Sequence, residues 1–157
     1  MTTTAAHVAL LAPVPLEHLV SGWAVARSEG KVAFGTRAWK VFRDLDELRE
    51  RMPVDAYLYA SQTTQSRALE VSWQAVYVGQ IESIGGAHPD GMRYRPSSTA
   101  KYANDSVGKW AVFWEVRDLR EITPKKRLAL ACLSGFGKKR AYGPAFWPEG
   151  PLLIEHP

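Results

Sequence analysis

The chain has 157 residues, of which 46% are apolar and 23% charged, with six Trp, six Tyr and five Phe. That suffices for one hydrophobic core and falls short of two, and apolar residues spread along the whole length exclude a long disordered region. Net charge is +4 and the isoelectric point about 9.3, a moderate excess that favours polyanionic partners.

MTTTAA (Met1 to Ala6) lacks the basic start of a secretory signal, and the apolar run Val8 to Leu11 is too short for a membrane span. The expectation is a cytoplasmic protein without membrane association, with a flexible N-terminus over 1–6 and a single domain over 7–157. Cys132 is the only cysteine, so no internal disulfide can form. In the apolar run Leu128 to Leu133 it reads as a small buried hydrophobe.

In chain order, His7 to Ala12 reads as a buried strand closed by Pro13 and Pro15. Pro15 to Ser21 then spaces Leu16, Leu19 and Val20 as a short helix, with Gly22 beyond its end. Lys31 to Gly35 suits a short strand. Ala38 to Met52 carries Val41, Phe42, Leu45, Leu48 and Met52 on one helical stripe, with Thr36 as N-cap, Pro53 as the stop and Trp39 off the stripe.

Four β-rich stretches follow: Asp55 to Ser61, Val71 to Ile81, Lys109 to Arg117 and Arg127 to Leu133. Trp73, Ala75, Tyr77 and Gly79 alternate on one face of the second, and Trp110, Val112, Trp114 and Val116 on one face of the third. Those tryptophans read as core. Between them, Glu82 to Gly108 is a long polar loop that carries Arg93 and Arg95, a candidate binding loop or lid. Leu152 to Ile154 suits a closing strand. One or two helices before a run of short strands point to an α+β fold with a small, largely antiparallel β-barrel.

Three segments resemble the PUA-like superfamily, in particular its EVE and ASCH branches. Leu10 to Gly22 is similar to the ASCH opening of strand, proline turn and short helix. The helix Ala38 to Met52 followed by a strand ending in Tyr59, Ala60 and Ser61 resembles a step common to both branches. Val78 and Gly79, then Arg95 and Pro96, then the strand WAVFWEV follow in the family's order, so the likeness runs from His7 to Leu133. It implies a small barrel with helices at the rim that binds RNA or DNA, with a modified or flipped base in a pocket beside the early helix. Carried onto this chain, the base pocket falls on Thr36, Trp39 and Ser61, with Arg37 positioned for a phosphate. An indole supplies a stacking face, and two hydroxyls supply edge contacts.

The C-terminal half is basic by itself. Glu115 to Tyr142 holds eight basic residues against three acidic ones, a net +5. Within SGFGKKRAYG (Ser134 to Gly143), Lys138, Lys139, Arg140 and Tyr142 combine cations with an aromatic face, a set of groups that holds single-stranded nucleic acid. Arg93 and Arg95 complete the phosphate-binding candidates.

No catalytic residue, cofactor motif or metal-ligand spacing stands out: the four histidines are scattered, and no nucleophile elbow surrounds Ser61. The ASCH amidohydrolases carry a Gly-x-Lys-x-x-Thr-x-Arg motif. Here Thr36 and Arg37 are present, but Lys31 stands five residues before Thr36 rather than three. A hydrolase of a small nucleobase derivative and a protein-interaction module are the alternatives to a nucleic-acid-binding module.

Overall fold

The computed structural model describes residues 3–61, 69–102 and 110–157. In chain order the elements are β1 (Ala9–Pro15), α1 (Leu16–Glu29), β2 (Val32–Thr36), α2 (Trp39–Arg49), β3 (Val54–Ser61), β4 (Glu70–Val71), β5 (Trp73–Glu82), β6 (Val112–Glu121), β7 (Leu128–Ala129) and β8 (Leu152–Ile154). Single 3-10 turns lie at Ser97–Tyr102, Pro124–Lys126 and Leu130–Cys132. No helix among the described residues is long and apolar enough to cross a membrane.

Six strands make one sheet in the order β2-β6-β5-β3-β1-β8, antiparallel throughout except for β1 beside β3. The sheet curls strongly into a half-barrel, the α+β architecture that the element order implies. Two register shifts between β5 and β6, at Gln74/Val76 and Tyr77/Gly79, add local twist to that curl.

β1 is apolar on both sides because both of its sides are covered. Leu10, Ala12 and Val14 face one cluster with Leu19, Phe34, Phe42, Leu58, Tyr77 and Trp114, while Ala9 and Leu11 face a second with Tyr57, Tyr59, Val71, Leu130 and Ile154. A continuous apolar run rather than an alternating one is the sequence trace of such a strand. At the centre of the larger cluster, Phe42 of α2 stacks on Trp114 of β6 at 5.5 Å between centroids.

Several local expectations are corrected. β1 does not stop at its prolines but runs through Pro13 to Pro15, paired with Tyr59 to Ser61. β8 covers only Ala9 to Leu11, so beyond Leu11 the strand is an open edge, where the missing N–H of proline leaves no ladder bond unmade. α1 extends to Glu29, with Gly22 inside it, where a Cβ would stand 3.3 Å from Phe34 Cζ. Gly30 is the residue that ends it, at φ 87° with its N–H bonded to the Ala26 carbonyl.

α2 begins at Trp39, with Ala38 rather than Thr36 at the N-cap position and no side-chain cap, and closes through Glu50 and Arg51, both left-handed, before Pro53 is reached. Arg127 to Leu133 is not one strand but the short β7 followed by a 3-10 turn, which leaves Cys132 exposed rather than buried. The described part of the N-terminal segment is docked: Ala5 is buried, its N–H bonds the Pro53 carbonyl at 2.9 Å, and Thr4 donates to Asp55 at 2.9 Å.

Candidate functional site

The open edge of β1, the first turn of α1 and the end of β2 enclose a cavity of about 660 Å³. Pro13 to Pro15 form one side, Glu17 and His18 the next, and Ala33 to Ala38 the third. Trp110 and Trp114 supply aromatic wall, and Glu149 to Pro151 close the rim. Arg95, Thr99 and Lys101 reach in from the long loop.

That loop is held against α1 and β2 by named bonds. The Ala33 N–H bonds the Tyr94 carbonyl at 2.7 Å, the Ser98 N–H bonds Ser21 Oγ at 3.1 Å, and His18 Nδ1 is hydrogen-bonded to Ser98 Oγ at 2.6 Å. Arg95 is thereby pressed into the interior: it is 2% exposed, with its guanidinium 5.0 Å from the centre of the Phe113 ring. A buried cation is costly unless its surroundings compensate, so its position in the wall of a cavity is chemically informative.

Thr36 ends β2. Its carbonyl accepts from the Ala111 N–H at 2.9 Å and its hydroxyl oxygen from the Ala38 N–H at 3.0 Å. The hydroxyl therefore acts as a turn acceptor. Burial pushes His18 below its ordinary imidazole value; Glu17 opposes that shift, and Lys101 and Arg95 reinforce it. The cavity thus combines three cations (Arg37, Arg95 and Lys101), two carboxylates, a neutral imidazole and aromatic walls.

A second cavity of about 310 Å³ lies across the same strand edge, lined by Pro13, Tyr59 to Ser61, Leu69 and Trp147 to Glu149. Pro13 and Glu149 line both cavities. The Tyr59 hydroxyl is buried with no hydrogen-bond partner among the described residues, and Trp147 is 67% exposed.

The residues singled out in the sequence divide as follows. Thr36, Arg37 and Arg95 line the first cavity, and Ser61 lines the second. Trp39 lies outside both, half exposed, with Arg43 5.0 Å above its ring. Arg93 pairs with Glu29 at 3.2 Å and lines neither cavity. Lys138, Lys139 and Arg140 are exposed on a separate loop, where the Gly137 N–H bonds Glu155 at 2.7 Å. Tyr142 stacks flat on Phe146 at 3.7 Å, so one of its two faces is already covered.

Lys31 is turned to other work, with its ammonium 3.1 Å from the Glu115 carboxylate and over the Tyr94 ring. Beside them His88, also buried, reaches Glu115 at 3.5 Å. Residues 103–108 of the long loop, and Lys109 of the expected third strand, lie outside the described residues.

Glu17, His18, Lys101, Trp110 and Glu149 were not legible as site residues. Apart from the adjacent Glu17 and His18 they are scattered along the chain with no motif spacing, and the strand alternation that marks Trp110 and Trp114 as core hides the fact that both also face a cavity. Among the described residues no group of three or more His, Cys, Asp or Glu side chains is placed to hold a metal ion. The chain matches no protein-family model and no curated protein.

Proposed function

We propose that this chain is a PUA-like module that binds RNA or DNA by taking one base into the cavity between β1, α1 and β2. The observation that carries this reading is a cavity of about 660 Å³ that joins two indoles to a hydroxyl, an imidazole and a buried guanidinium. Small-molecule sites span roughly 300–1,000 Å³, mostly apolar with a few placed polar groups, and this one falls in the middle of that range.

An extruded base needs a flat apolar partner for its π-face and hydrogen-bonding groups at its edge. In this reading Trp110 is the stacking wall, Trp114 backs the cavity from the core, and Thr36, His18 and Arg95 address the base edge. Arg37 and Lys101, both exposed at the rim, meet the phosphates. Glu149 accepts from an exocyclic amine, which favours adenine, cytosine or guanine over uracil or thymine. The order of strand, helix, strand, helix and curled antiparallel sheet supports the PUA-like assignment, as do the segments that resemble its EVE and ASCH branches.

Polarisation titrations of labelled single-stranded RNA, single-stranded DNA and duplexes at two salt concentrations test the proposal. Saturable binding to a single strand that weakens with salt and with Arg37→Ala is the expected result. Absence of binding to every one of these probes overturns it.

A further inference from the structure

The two cavities flank one strand edge, and the smaller lacks a function in the reading above. We infer that the second cavity is an adjacent base subsite, so that the ligand is a single strand with two neighbouring bases held on either side of Pro13. This rests on the base-binding reading of the first cavity and adds to it a site size and a strand preference.

Three observations carry the inference. Pro13 and Glu149 are common walls, so the two cavities adjoin along the strand edge. The register that pairs Pro13 with Tyr59 and Pro15 with Ser61 places the second cavity's polar groups one strand over from the first. Tyr59 is 3% exposed and its hydroxyl is unpartnered among the described residues, so a hydrogen bond from a ligand would offset the cost of its burial.

The size and surface of the subsite fit a base. A volume of about 310 Å³ is at the lower end of small-molecule sites, and Trp147 offers an exposed indole at its mouth. A nucleobase stacked on Trp147 would present its edge toward Ser61 and Tyr59, and Leu69 and Pro148 would cover its rim. Stacking on an aromatic face tolerates every base, so this subsite adds affinity rather than sequence selectivity. A duplex cannot place two stacked neighbours in separate cavities without unpairing them, so single strands are preferred.

Calorimetric titration of the full chain with nucleoside 5′-monophosphates and with the corresponding dinucleotides tests this. The expected result is a dinucleotide affinity roughly tenfold to a hundredfold above that of the mononucleotide, a gain removed by Trp147→Ala and reduced about twofold to tenfold by Tyr59→Phe. Trp147 is exposed and Tyr59→Phe keeps the ring, so both variants fold. Dinucleotides that bind no tighter than mononucleotides, or a gain that survives both substitutions, overturn the subsite while the base cavity stands. Failure of mononucleotides and oligonucleotides alike to bind overturns the base cavity, and the subsite with it.

Discussion

Gly35 lies directly beneath the indole of Trp110: a Cβ at position 35 would stand 2.7 Å from Trp110 Cδ2 and 2.8 Å from Cγ. The glycine is needed here for close approach, since it lets an aromatic wall settle against the end of β2. Gly→Ala at an unstrained position stabilises by about 0.4–1 kcal/mol, but here the methyl group must displace a ring, and overpacking costs about 1–3 kcal/mol. Gly35→Ala is expected to lower the melting temperature and to weaken nucleotide binding, as read by thermal unfolding and calorimetry on the same preparation.

Two tryptophans separate the pocket seen in the fold from the one carried over by resemblance. Trp110→Leu is expected to cost roughly 1–3 kcal/mol of binding to a single strand through lost stacking. Trp39→Ala, on the outer face of α2, is expected to leave affinity within about twofold, with unchanged circular dichroism. The opposite ranking would move the pocket to Trp39.

Salt dependence distinguishes the two cationic regions. Arg37→Ala and Lys101→Ala should each reduce the log–log salt slope for a single strand by about 0.7, the value for one neutralised phosphate. Lys138, Lys139 and Arg140 line neither cavity and follow Gly135, which bridges to Ile154, the partner of Ala9 at the start of β1. The cavities open at the other end of that strand, roughly 13–20 Å away at about 3.3 Å per residue. The triple alanine variant is therefore expected to weaken binding of long oligonucleotides and to leave dinucleotide binding within about twofold, measured by titration at two probe lengths.

His18 contributes a pH dependence of known sign. Burial holds its pKa in the folded chain below the ordinary value of about 6.5, so between the two values the unfolded chain binds the proton more readily. Its contribution to stability is complete above about pH 6.5 and is lost as the pH falls through the folded value. Melting temperatures from pH 8 to 5 should fall less steeply for His18→Gln than for the parent chain. Parallel curves would remove His18 as the source.

Phe42 is fully buried between Tyr77 and Trp114, at 5.8 and 5.5 Å between centroids. Phe42→Ala should cost about 3–5 kcal/mol of stability, because the two flanking rings cannot collapse fully into the space it leaves. Denaturant unfolding measures this, and a cost below about 1 kcal/mol would mean that α2 does not anchor the sheet.

Much of the fold was legible because hydrophobic periodicity is a local signal. Val41, Phe42, Leu45 and Leu48 marked α2, and the unbroken apolar run in β1 announced a strand covered on both sides. Leu152 to Ile154 read as a closing strand, and β8 covers Leu11 but not Pro13. What failed locally was punctuation. Pro13 and Pro15 looked like stops and Gly22 like a helix end, since residue type alone does not tell an open sheet edge from a strand end, or a packing glycine from a cap.

The site was less legible. Thr36 and Arg37 were reached through a family likeness, and Arg95 through its place in an unusually long loop, where a solvated phosphate contact was expected and a buried guanidinium is found. The sequence by itself determined two helices and a succession of short strands, because burial patterns and helix stripes are written in neighbouring residues. Only the tertiary structure decided which side chains share a cavity. Sheet curl and the docking of the loop on α1 bring His18, Thr36, Arg95, Trp110 and Glu149 together, and no periodicity in the chain encodes a meeting of residues that far apart.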